Sequence, residues 1–150
     1  MKKYSFRLQT VLEIREKKLE DKRREMAVVV AKLNEQLGVR EELVSKQDTI
    51  KSYLETVYTD GRELDIREVT NYKDYLVKVI VATRNQDKVI EKTQNMLRFK
   101  QLEVGEALKE VKVLEKLKET QERKFYKEYE YMQAKEIDDI ASTRYKRAAA

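Results

Sequence analysis

The stretch Thr59-Asp60-Gly61 is the only strong turn signal in a chain of 150 residues with three glycines and no proline. Proline and glycine are the residues that most often interrupt regular structure, so their scarcity favours long uninterrupted helices. Charged residues make up 41% of the chain, a composition typical of exposed helices with a long apolar stripe. The sequence therefore predicts two long helices that are joined at this turn.

We expect a single coiled-coil domain over residues 1–150, of all-α class. The first helix is expected over about 5–58, the turn over about 59–65, and the second helix over about 66–146. Ser5 is a candidate N-cap of the first helix, because its hydroxyl can accept a bond from a free backbone N–H. Asp65 and Glu68 have the spacing of a capping box at the start of the second helix.

Apolar residues recur along both helices at the spacing of an amphipathic helix. In the first helix they are Leu8, Leu12, Leu19, Met26, Leu33 and Leu37. In the second helix, positions seven apart are Val69, Leu76, Thr83, Ile90, Leu97, Val104, Val111, Lys118, Phe125 and Met132. The companion row becomes polar at Gln86, Thr93 and Lys100, which predicts a looser centre. The fold predicted is a long antiparallel coiled-coil hairpin.

The turn lies off the middle of the chain, so the second helix is expected to overhang the first at the C-terminus. Pairing about this turn places Phe6 beside Lys118 and Leu12 beside Lys112. About 26 residues after residue 120, roughly 40 Å of helix, then have no partner in the chain. Two interpretations stay open for this overhang. It continues a coiled-coil core, in a dimer or against a bent first helix, or it anchors in a groove of another protein.

Four tyrosines lie near the predicted turn: Tyr53, Tyr58, Tyr72 and Tyr75. Tyrosine offers a large contact area with a polar end, which protein interfaces often use. Closure of the hairpin by these rings and a protein-binding surface are both compatible with the sequence.

The composition argues against an enzyme. The chain has no cysteine and no histidine, which excludes disulfides, the usual zinc sites and histidine acid–base catalysis. No phosphate-binding glycine loop or nucleophile motif occurs, so we expect no catalytic, cofactor-binding or metal-binding residues and no cofactor. The acidic run Glu136, Asp138 and Asp139 is interpreted as a solvated helix face, because adjacent helical side chains diverge by about 100°.

Charge and hydropathy also restrict the partners. The net charge is +5, but basic and acidic residues are finely mixed, whereas a nucleic-acid binder more often has a one-sided basic patch. The apolar runs at 27–31 and 79–82 are far shorter than the ~20 residues that cross a bilayer. We therefore expect no nucleic-acid partner, no membrane insertion and a cytoplasmic location.

Four segments together resemble the FliJ family of bacterial flagellar export proteins. They are YSFRLQTVLEIR at residues 4–15, NYKDYL at 71–76, LEKLKE at 114–119 and KEIDDIASTRY at 135–145. The resemblance implies an antiparallel coiled coil similar to the central stalk subunit of rotary ATPases. It also implies a cytoplasmic component of the type III export apparatus, peripheral at the inner membrane, that binds the hexameric export ATPase FliI, the export gate protein FlhA and export chaperones.

Carried over by motif, the resemblance implies two sets of binding residues. The ATPase-binding set is Phe6, Leu8, Leu12, Arg15, Phe125, Tyr129, Met132 and Ile140. The gate-binding set is Tyr53, Tyr72, Tyr75, Val79, Ala82 and Gln86. Val79 departs from the family, which often has leucine there.

The resulting hypothesis is a non-enzymatic stalk and adaptor that couples the export ATPase ring to the export gate. Three alternatives remain. The chain could be the equivalent stalk of a virulence type III secretion system, a homo-oligomeric structural coiled coil, or a nucleic-acid binder.

Overall fold

Two helices account for the regular structure that a computed structural model describes over residues 2–61 and 63–150. They are α1 (Gln9–Thr59, 51 residues) and α2 (Ile66–Ala149, 84 residues). The helices run antiparallel and pack against each other, which confirms the predicted all-α hairpin. Contacts divide the chain into unit 1, Met1–Asp21 with Gly105–Ala150, and unit 2, Lys22–Val104. Of the predicted turn 59–65, Arg62 lies outside the described residues.

The break between the helices depends on two residues that the sequence singled out. Gly61 has a φ of 62°, in the left-handed region that glycine enters without a steric penalty, and it follows the end of α1. Asp65 precedes α2, and its carboxylate accepts a bond of 3.1 Å from the backbone N–H of Arg67. The prediction that Asp65 is the N-cap of α2 is confirmed.

The predicted start of α1 is wrong by four residues. The helix begins at Gln9 rather than near Ser5, so Ser5 is not its N-cap. The first backbone bonds join the Gln9 N–H to the Phe6 carbonyl at 3.1 Å and the Leu12 N–H to the Leu8 carbonyl at 2.9 Å. Phe6 is only 6% exposed, and the free energy gained by burying this ring outweighs the free energy of one further turn of helix.

Unit 1 has its core where residues 6–21 face α2. Four of its buried side chains are Phe6, Leu12, Ala107 and Val111. The Arg15 guanidinium donates to the Glu110 carboxylate at 3.0 Å, one residue from the pairing that the turn position predicts. Leu8, which the sequence placed on the apolar stripe, is 36% exposed at the edge of this core.

In unit 2 the apolar core is concentrated next to the turn. Ile50, Leu54 and Val79 are buried there, and half-buried neighbours such as Leu43 and Leu76 pack against them. Burial of each such side chain contributes about 1.5–3 kcal/mol, so this cluster anchors the pairing of the two helices in unit 2.

The middle of unit 2 is polar, as the companion row predicts. The Gln47 amide donates to the Thr83 hydroxyl at 2.7 Å, and the Gln86 amide donates to the Gln36 carbonyl at 2.9 Å. The Gln36 Oε1 atom is buried, and no hydrogen-bond partner is found for it among the described residues. Side-chain hydrogen bonds therefore accompany apolar packing between the helices here, where Ile90 is only 6% exposed. Leu37, expected on the stripe, is 41% exposed.

Four charged residues form a closed network in unit 2. Lys100 lies 3.0 Å from the Glu25 carboxylate and 3.3 Å from that of Glu103, and Lys22 lies 3.6 Å from Glu103 and 3.5 Å from Glu25. The hydrogen bond and charge of Lys100 lower the pKa of Glu25, and the same bond raises the pKa of Lys100. Glu25 and Lys100 thus stabilise each other's ionised form.

Candidate protein-binding sites

An extended N-terminal segment covers part of the predicted overhang. The Tyr4 hydroxyl donates to the Gln121 side chain at 3.2 Å, and the Tyr4 ring lies 5.6 Å from that of Phe125. The expectation that α2 has no partner in the chain after residue 120 is therefore wrong for its first part. The reason is that an extended chain advances about 3.3 Å per residue, whereas a helix advances only about 1.5 Å. The extended N-terminal segment therefore extends further along α2 than the same number of helical residues would.

A shallow groove follows directly along α2. It is lined on one side by Lys2 and on the other by Phe125, Tyr129, Met132 and Glu136. Phe125 and Tyr129 are half-buried, whereas Met132 is 63% exposed. The N-terminal segment thus leaves the groove open towards the C-terminal part of α2.

From residue 130 onward, every described side chain of α2 is exposed. Tyr129, Met132, Glu136 and Ile140 follow the spacing of one helix face, so Ile140 continues this face of α2 beyond the groove. We call Phe125, Tyr129, Met132 and Ile140 the terminal surface. Large apolar side chains exposed along 131–145 are Tyr131, Met132, Ile137, Ile140 and Tyr145, at 71%, 63%, 68%, 56% and 77%. Such an apolar surface favours association with another molecule.

The residues that the resemblance assigned to the ATPase differ in accessibility. Phe6 and Leu12 are 6% and 3% exposed, so they hold unit 1 together and cannot be reached by a partner in this arrangement. Arg15 is half-buried by its ion pair with Glu110. Leu8, at 36%, and the C-terminal members of the terminal surface are accessible.

Tyrosines next to the turn form a second surface. The rings of Tyr53 and Tyr72 lie 4.6 Å apart, and the Tyr53 hydroxyl donates to the Glu68 carboxylate at 2.7 Å. Tyr75, one turn further along α2, is 47% exposed. We call Tyr53, Tyr72 and Tyr75 the tip surface. Their mutual contacts hold the first two rings in place, whereas Tyr75 extends from the pair.

The remaining residues assigned to the gate are less accessible. Val79 is 5% exposed and belongs to the apolar cluster with Ile50 and Leu54. Ala82 and Gln86 are half-buried, and the Gln86 amide is bonded across the helices. Val79 supports the tip surface through the cluster that Tyr72 packs against, whereas Gln86 lies in the middle of unit 2.

Sequence reasoning missed the packing role of Tyr4 and the exposed ring of Tyr145, and it did not separate Tyr131 from the face that carries Tyr129. The sequence pattern assigns no packing role to Tyr4, because a helical start at Ser5 leaves no extended segment to carry it. Tyr131 and Tyr145 lie two and sixteen residues after Tyr129, which places them on the opposite side of α2. A helical wheel of residues 129–145 would have separated the two faces.

Among the described residues, no helix is long and apolar enough to cross a membrane. No group of three or more acidic side chains that could hold a metal ion occurs in residues 2–61 and 63–150. The candidate binding sites are therefore the terminal surface and the tip surface.

Comparison with known proteins gives a single consistent result. The family described as "Flagellar FliJ protein" matches residues 4–150. The "Flagellar FliJ protein" of Bacillus subtilis (strain 168) is 25% identical over 138 residues, which cover 92% of this chain and 92% of that protein. No solved structure matches significantly. Because the family match spans nearly the whole chain, this protein belongs to the FliJ family of flagellar proteins.

Proposed function

We propose that the chain is the stalk and adaptor that connects the flagellar export ATPase to the export gate. Membership of the FliJ family makes it a component associated with flagellar protein export. The finer role, with FliI and FlhA as partners, peripheral at the cytoplasmic face of the inner membrane, and with a part in handling export chaperones, is the proposal.

The observation that carries the proposal is the run of exposed apolar side chains beyond residue 130. An isolated helix is marginally stable in water, and most of its stability in proteins comes from covering an apolar face. Met132 and Ile140, at 63% and 56% exposed, continue the face on which Phe125 already contacts Tyr4. A partner that covers this face would extend a packing surface that exists in unit 1, and the ATPase is the partner we assign to it.

The tip surface is assigned to the gate. Tyr53 and Tyr72 are held by their ring contact, so little side-chain freedom is lost when a partner covers them. Tyr75 supplies an exposed ring beside them. The terminal surface belongs to unit 1 and the tip surface to unit 2, which supports two separate contacts.

The test of the ATPase contact is a binding titration with purified export ATPase. The variant Met132→Glu with Ile140→Glu puts two charges on the terminal surface, and we expect affinity to fall at least about tenfold. The matched control is Tyr131→Glu with Tyr145→Glu, which adds the same charge to the opposite side of α2. Equal affinity of wild type and the first variant would refute the assignment, as would a concentration-dependent dimer that covers this surface.

A further inference from the structure

The side of α2 that points away from α1 in unit 2 is basic. Val79, Thr83, Ile90 and Thr93 are buried, which fixes the side of α2 that packs against α1. Over residues 77–102 the charged residues on the opposite side, all exposed, are Lys78, Arg84, Lys88, Glu91, Lys92 and Arg98. We call this side of residues 77–102 the basic face, because five of its six charged residues are cations.

The charges next to the basic face do not neutralise it. Asp87 is paired with a cation of α1, and Glu103 belongs to the closed network of four charges in unit 2. Asp74 and Glu106 are exposed just beyond the two ends of the basic face. Among the described residues, none of the five cations of the basic face takes part in an ion pair. Their charge is therefore available to a partner.

The side of α1 that points away from α2 has the opposite charge. Over residues 27–49 its charged residues, all exposed, are Glu35, Glu41, Glu42 and Asp48. Lys32 and Lys46 lie on the flank between the two sides rather than on this one. Charges that are mixed along the sequence are thus separated by the fold of unit 2.

Apolar side chains lie among the cations of the basic face. Phe99 and Leu102 are 60% and 69% exposed, and Val77 and Val81 are exposed as well. A nucleic-acid backbone would leave such side chains in water. The boundary between lipid headgroups and acyl chains accommodates both kinds, because apolar side chains enter it while the cations reach the headgroups.

We propose that the basic face binds the surface of a membrane that contains anionic phospholipids. Residues 77–102 span about 38 Å of helix. Clusters of about four to eight lysine and arginine residues on one helix are typical of binding to anionic lipid. The reverse orientation is unfavourable, because it would bring the acidic side of α1 against the anionic surface. This adds a direct lipid contact to the membrane location under the proposed function.

The probe is a set of vesicles to which the full chain is added, with binding measured by co-sedimentation. One set contains phosphatidylcholine with about 30% phosphatidylglycerol, and the other contains phosphatidylcholine alone. We expect binding to the anionic vesicles only, weakened when salt is raised from about 50 mM to about 500 mM. Since the vesicles hold neither gate protein nor ATPase, this result is independent of those two contacts.

Two pairs of exposed lysines provide matched variants. Lys88→Glu with Lys92→Glu should weaken binding to the anionic vesicles at least about twentyfold. Lys46→Glu with Lys51→Glu changes the net charge equally but lies on α1, and it should weaken binding less than about threefold. Circular dichroism verifies that each variant keeps the helix content of the wild type.

The orientation of unit 2 on the membrane is tested by fluorescence, because the chain has no tryptophan of its own. Phe99→Trp places a reporter on the basic face, and Ser45→Trp places one on the outer side of α1. We expect anionic vesicles to shift the emission of the first variant to shorter wavelength and to leave the second unchanged.

Four results would overturn the proposal. The first is binding to uncharged vesicles as tight as to anionic ones, or binding to neither. The second is an equal loss of binding in the two lysine variants. The third is equal emission shifts, or none, at positions 99 and 45. The fourth is an association without lipid that Lys88→Glu with Lys92→Glu abolishes, either with duplex DNA more tightly than with the vesicles or between copies of the chain.

Discussion

The contact between Tyr4 and Phe125 makes a sharp prediction about the start of the terminal surface. Replacing Tyr4 with alanine removes a ring pair at 5.6 Å and a hydroxyl bond of 3.2 Å to Gln121. An aromatic pair contributes about 0.5–1.5 kcal/mol, and an exposed hydrogen bond lies at the low end of a similar range. Together they should stabilise this part of unit 1 by about 1–2 kcal/mol.

The assay is native-state amide hydrogen exchange read by peptide fragments. A loss of about 1–2 kcal/mol in local stability raises the exchange rate about five- to thirtyfold where opening is local. We expect this increase in fragments covering residues 119–130 and no change in fragments of unit 2. Tyr145→Ala is the control, because that ring is 77% exposed and its removal should leave exchange at 119–130 unchanged.

Unchanged exchange around Phe125 in the Tyr4 variant would refute the reasoning. It would mean that α2 is held in this region without the N-terminal segment. The predicted increase would instead establish that the segment covers the start of the overhang.

Three further predictions concern stability, each measured by thermal or denaturant unfolding. Gly38→Ala and Gly105→Ala should each stabilise by about 1 kcal/mol, because an added Cβ meets nothing within 4 Å and alanine favours helix; destabilisation by either would contradict this. Asp65→Ala should cost about 1 kcal/mol through loss of the N-cap bond to the Arg67 N–H, and Asp65→Asn should keep most of it. Lys100→Met should lower the melting temperature at neutral pH. Because Lys100 lowers the pKa of Glu25 in the folded state, the stabilisation from this pair is lost as the pH falls below the ordinary pKa of glutamate. The difference in melting temperature between the variant and the wild type should therefore shrink in acid.

Much of the fold follows from local patterns in the sequence. The absence of proline, the seven-residue rows and the Asp65 cap predict two antiparallel helices and the position of the break. The start of α1 could not be predicted from these patterns. Helix propensity favours a helix that begins at Ser5, whereas in the structure Phe6 belongs to an extended segment and its ring is buried. Burial of the Phe6 ring outweighs the local helix propensity there, and the spacing of apolar residues does not reveal this burial.

The exposure of the candidate site residues could not be predicted from the sequence. The aromatic residues around Phe125 and Tyr72 are evident in the sequence, but spacing alone cannot tell which of them are buried. Val79 and Met132 lie on equally regular rows, yet one is 5% exposed and the other 63%. The difference depends on whether a segment from elsewhere in the chain covers the position, which is a property of packing rather than of pattern.

The central claim is that one chain binds the ATPase and the gate at separate surfaces at the same time. The most direct measurement is retention of the export ATPase by immobilised gate protein when this chain is added. We expect retention with the wild type and loss with either Met132→Glu/Ile140→Glu or Tyr75→Glu, each variant keeping its binding to the other partner. Displacement of the gate by the ATPase, or retention by both variants equal to that of the wild type, would contradict the account.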